Sequence, residues 1–178
     1  MTAAVAIAET WGEYGTLWAI RFALLLMFVA YVQQLRGASE VATHVRILWL
    51  AGAICVLLHS VGALISFHYG SHEAAFNSTA KQTEELLGIA VGAGLYVNYG
   101  FALVWMGDAL FRIAKPVQYL TLPNRYRSLV HGFLLFIAFN GTVVFKDGWI
   151  RWLGLTAGAF LVWLGLLRYL GSKASNGG

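Results

Sequence analysis

Apolar residues collect in five long runs, at 17–35, 46–67, 86–111, 129–145 and 149–170, and polar and charged residues gather between them. None shows the apolar–polar alternation of a half-buried strand, and all are too long for barrel strands. A helix needs about 20 apolar residues to cross the hydrocarbon core. Only helices and closed barrels satisfy their backbone groups there. The pattern predicts an all-α membrane protein: a bundle of five transmembrane helices in a single domain, residues 1–178. The fourth run is short, so it requires thinned lipid or packed neighbours.

The polar segments set an expected orientation. Arg36, Arg46, Arg112, Lys115, Arg125, Arg127, Arg168 and Lys173 fall at one end of the bundle, and Lys81, Lys146 and Arg151 at the other. Arg21 lies near the outer end of the first run, where its side chain can snorkel. By the positive-inside rule the amino terminus is outside (periplasmic) and the carboxyl terminus cytoplasmic. A multi-pass protein of a bacterial inner membrane is the expectation. Trp11, Trp18, Trp49, Trp149 and Trp152 stand near span ends, as interfacial aromatics do.

Loop chemistry adds detail. Pro116 and Pro123 stop the third helix, and Tyr119 and Tyr126 lay that segment along the interface. Thr79 and Gln82 have capping-box spacing, which starts the third helix near residue 80. The first dozen residues read as an interfacial segment and the tail GSKASNGG as a flexible end.

Composition agrees with this reading. Hydrophobic residues make up 59% of the chain, charged ones 11%, and mean hydropathy is +0.68, outside the usual range of a soluble domain. No basic residue precedes Arg21, so the first run reads as a retained span rather than a cleavable signal. Cys55 is the one cysteine, which excludes an intrachain disulfide and a thiolate cluster. A net charge of +4 is explained by topology signals, and no nucleic-acid partner is expected. Phosphate loops, serine-nucleophile elbows and HExxH are missing, so nothing in the sequence points to a hydrolase.

Candidate chemistry rests on the histidines. His59 lies about eight residues inside the second run, about 12 Å below the outer surface. A polar ring at that depth faces protein. Asn98, on the returning third run, is its expected hydrogen-bond partner, and the pair is a candidate cofactor site. Gly62, Ala63 and Ser66 share the His59 side, a small-residue face suited to a helix or a cofactor. His68 and His72 have the i, i+4 spacing of paired metal ligands on a continuing helix, with Glu73 as an added oxygen donor for Zn²⁺ or Cu²⁺. Gly70 interrupts that helix. A haem b needs histidines at matched depth, and His59 and His131 differ in height by about 15 Å on the helix rise. A second ligand would therefore come from another subunit.

Asp108 and Arg112, four apart on the third run, are expected to pair, and His131 extends them into an inner polar cluster. Gly88 with Gly92, and Gly154 with Gly158, form GxxxG pairs that let helices approach closely, within the chain or with other membrane subunits. The function expected is a subunit or accessory component of a larger membrane complex. The alternatives are a haem- or metal-binding redox protein using His59, His68 or His72, and a small transporter relying on Asp108, His131 or Asn98.

Overall fold

A computed structural model describes the backbone of residues 3–176 and the side chains of residues 11–173. Helix α1 (Ala3–Leu35) has 33 residues, about 50 Å at 1.5 Å per residue, well beyond the hydrocarbon thickness. From Ala3 the first dozen residues therefore belong to the same continuous helix as the first apolar run. α1 turns at Gly37 (φ 105°) and returns as α2 (Thr43–Ser66). The two helices pack closely because small residues meet at the crossing. Gly62 lies so near Thr16 that a Cβ would overlap the Thr16 hydroxyl, and one on Gly12 would come within 2.9 Å of Ser66. The small face beside His59 is therefore occupied by α1.

The apolar run 86–111 is not one helix. α3 (His72–Leu87) begins where Ser71 accepts the Ala74 N–H and ends at Gly88, which adopts φ 73°. Thr79 lies inside this helix, bonded to the Ala75 carbonyl, so the Thr79–Gln82 start is corrected to Ser71. The buried Thr83 hydroxyl accepts the Val91 N–H at 2.8 Å and folds the apolar segment after Gly88 back onto α3. α4 (Gly94–Ala114) then begins. A short helix follows, α5 (Pro116–Leu120), with proline at its first turn, and then α6 (Asn124–Phe139).

α6 widens into a π-helical turn, Asn140–Val144, closed by the Phe145 N–H on the Asn140 carbonyl. With that turn the fourth apolar segment is Asn124–Val144, 21 residues, so it needs no thinning. Last comes α7 (Trp149–Asn176). The tail read as flexible is helical to Asn176, and Gly177 and Gly178 lie outside the described residues.

By length and composition, Trp11–Leu35, Thr43–Ser66, Asn124–Val144 and Trp149–Lys173 can cross a membrane. α4, which carries Asn98, Asp108 and Arg112, is not among the four. The described residues contain helix and no strand. The core lies where α1, α2, α4 and α6 meet, around Met27, Trp49, Val56, Phe101, Trp105 and Leu134. α7 stands against α1 through Arg21 over Trp149, Phe28 beside Phe160 and Arg168 donating to the Gln34 carbonyl. Rising numbers pair with rising numbers, so α1 and α7 run parallel.

Candidate functional site

The end of the core nearest the α1–α2 turn holds a buried ionic network. Asp108 and Arg112 are one helical turn apart on α4, and Arg112 Nε donates to Asp108 Oδ2 at 2.7 Å. Both are buried, Arg112 completely. Removing two charges from water is costly unless the remaining lone pairs and protons are satisfied. Asp108 meets that demand: Oδ2 also accepts the Trp49 indole N–H at 2.7 Å, and Oδ1 accepts the Tyr119 hydroxyl at 3.0 Å. The Arg112 guanidinium lies over the rings of Trp49, at 4.5 Å, and Tyr119, at 4.8 Å, where the ring quadrupole favours a cation.

Arg112 Nη2 and His131 Nε2 are 2.9 Å apart. Arginine has no acceptor, so His131 Nε2 must accept. The ring proton is then on Nδ1 and is donated to the Tyr31 oxygen at 2.7 Å. The chain of bonds runs from Tyr31 on α1 through His131 on α6 and Arg112 on α4 to Asp108, with Trp49 of α2 and Tyr119 of α5 closing it. Such a chain does not relay protons, because the guanidinium at its centre does not give one up. What it does is fix five helices in register. Arg112 Nη1 and Trp105 Nε1 are buried and hydrogen-bond to nothing in the described chain. Burial pushes the Tyr119 hydroxyl pKa well above its usual value.

His59, His68 and His72 are arranged differently from the expectation. His59 does not bond Asn98. Its Nδ1 lies 2.9 Å from the Thr16 carbonyl, which only accepts, so Nδ1 carries the proton and Nε2 keeps a lone pair. Asn98 is exposed on α4. The i, i+4 register of His68 and His72 is not formed, because the chain leaves helical geometry at Tyr69 (φ 51°) and Gly70 (φ 76°). His72 opens α3 and packs near Tyr96 and Tyr99, with ring centres 5.7 and 6.0 Å away, and Glu73 is exposed. No group of three or more His, Cys, Asp or Glu suited to a metal occurs among the described residues.

The glycine pairs also divide. Gly88 caps α3 and Gly92 lies in the loop beneath Phe76, so they form no helical GxxxG face. Gly154 packs within the chain, where a Cβ would come within 2.7 Å of the Thr142 hydroxyl; Gly158 meets nothing within 4 Å.

Three members of the network were not visible as such in the sequence. Trp49 reads there as an interfacial aromatic but is fully buried. Tyr119 reads as an interfacial residue, and Tyr31 carries no signal. An aspartate in an apolar span signals a need for donors beyond one arginine, but spacing does not identify them. Comparison with family models, curated proteins and solved structures gave no match.

Proposed function

We propose that the chain is a five-span inner-membrane subunit that works by packing against another membrane protein, with α7 as its docking helix. The observation that carries this reading is Trp163. On the helix rise it lies about 16 Å from Trp152, near the midplane of a core about 30 Å thick. It is 51% exposed, and its indole N–H has no acceptor among the described residues. Tryptophan favours the membrane interfaces, so an outward-facing one at mid-depth suits a partner helix with a polar group. No residue of the apolar stretch of α7 is buried within the chain.

Two features support the span count and orientation. The parallel course of α1 and α7 favours an odd number of crossings between them, which supports counting α4 as a span with α2 and α6. Arg36, Arg46, Lys115, Arg125, Arg127 and Lys173 then share one side, which the positive-inside rule assigns to the cytoplasm.

Gentle solubilisation of native membranes followed by affinity capture tests the reading. A stoichiometric membrane partner is expected with the natural chain, and its loss with Trp163→Ala while the variant stays monodisperse. Recovery of the chain alone, or only with copies of itself, overturns it.

A second reading rests on His59. An Nδ1–H held by a carbonyl with Nε2 free is how ligating histidines are oriented. His59 would hold a haem iron through that nitrogen, with a second ligand supplied by a partner. An optical spectrum of the captured complex tests it, and a missing Soret band removes it.

A further inference from the structure

A cavity of about 290 Å³ lies between α1, the α6 π-turn segment and α7, near the lower end of ligand-site volumes. Its walls are almost wholly apolar. Phe28 and Phe139 line it from two helices, Gly154, Ala157 and Gly158 form a wall with almost no side-chain relief on α7, and Tyr31 closes the inner end. At Gly158 an added Cβ would meet nothing within 4 Å, so the slot is open at that wall.

An apolar slot alone would hold any lipid tail; Tyr31 makes this one selective. Its ring is held edge-on to Trp49 and His131, and the residue is buried, only 9% exposed. Its oxygen accepts the His131 proton, a direction forced by Arg112 on the far ring nitrogen. The hydroxyl hydrogen therefore remains, with no acceptor among the described residues. A buried donor without an acceptor is unfavourable, and a ligand oxygen removes that cost. That oxygen must be neutral. Arg112 is already paired with Asp108, and Tyr31 lies about 6 Å inside the end of α1, below the level of charged headgroups.

We propose that this cleft binds a lipid-soluble molecule of the quinone class. The flat ring sits between Phe28 and the Gly158 wall, one carbonyl oxygen accepts the Tyr31 hydroxyl, and the tail leaves through the open side of the cleft. This inference does not depend on the subunit reading, because it concerns the isolated chain.

The test uses the full chain in phosphatidylcholine nanodiscs, titrated with a decyl-substituted benzoquinone. Binding is followed by tryptophan quenching and by the infrared carbonyl stretch. Saturation at one quinone per chain is expected, with the stretch shifted down in frequency. Tyr31→Phe, which keeps the ring, should weaken binding about tenfold and abolish the shift. Gly158→Leu, built into open space, should remove binding and leave helicity unchanged. The proposal is overturned by non-saturable quenching in the natural chain, by an unchanged carbonyl shift in Tyr31→Phe, or by equal competition from decylbenzene or palmitate.

Discussion

Trp49 donates its indole N–H to Asp108 at 2.7 Å and, with the same ring, lies under the Arg112 guanidinium at 4.5 Å. One side chain of α2 thus satisfies both halves of an ion pair on α4. Trp49 also packs against Trp105 and His131, so the ionic network and the apolar core are one structure.

Breaking the pair from the acidic side leaves a buried cation without its partner. Asp108→Ala should destabilise the protein by about 3–5 kcal/mol, read from thermal unfolding in detergent. Joint replacement of Asp108 and Arg112 by leucine and methionine should cost much less, since it leaves no buried charge. A double variant no more stable than the single one would show that the pair does not act this way.

Trp49→Phe keeps most of the packing but removes the indole donor. About 1.5–3 kcal/mol is the expected loss for a bond to a charged group. In an Asp108→Ala background the same substitution should cost clearly less, because the acceptor is gone. A double-mutant cycle measures this coupling, and additivity would contradict the contact.

Gly62 and Gly107 provide a contrast within one fold. Gly62→Ala drives a methyl group into Thr16 and should cost about 1–3 kcal/mol through overpacking, while shifting α1 away from His59. Gly107→Ala, with open space around it, should be neutral or stabilising by up to about 1 kcal/mol through helix propensity. Melting curves of the two variants decide it.

Tyr119 sets a pH dependence. Its folded-state pKa is raised by burial above the ordinary value of 10.0, so below that pH both folded and unfolded forms are protonated and stability is undiminished. As pH rises past it, the unfolded chain loses the proton first and stability falls. Tyr119→Phe should be less stable at neutral pH but should lose less between pH 9 and about 11. Parallel slopes for the two proteins would refute this.

With His68 and His72 separated by the Tyr69–Gly70 break, purified protein dialysed against zinc or copper should retain no stoichiometric metal. His68→Ala and His72→Ala should leave the weak binding that remains unchanged. A tight one-to-one site lost in either variant would reverse this expectation.

How much the sequence could disclose depended on whether the signal was local. Long apolar runs mark α1, α2, α6 and α7, because the lipid requirement acts on each segment by itself. Residues 86–93 misled for the same reason: they are apolar, so hydropathy merges them with α4. The chain breaks there because Gly88 takes a left-handed conformation and Thr83 binds the Val91 N–H, a contact hydropathy does not register. His59 likewise announces a buried partner, but Thr16 offers a carbonyl, which every residue has.

The sequence by itself determined an all-helical, apolar chain with an acid–base pair one turn apart on a helix, because periodicity and i, i+4 spacing are properties of single helices. Tertiary structure alone decided that Tyr31, Trp49, Tyr119 and His131 converge on that pair, and that Tyr31 ends an apolar cleft. Those contacts join side chains up to 100 positions apart. They exist only once the helices have chosen their neighbours, a choice set by small-residue crossings such as Thr16 on Gly62 and Trp105 on Gly52.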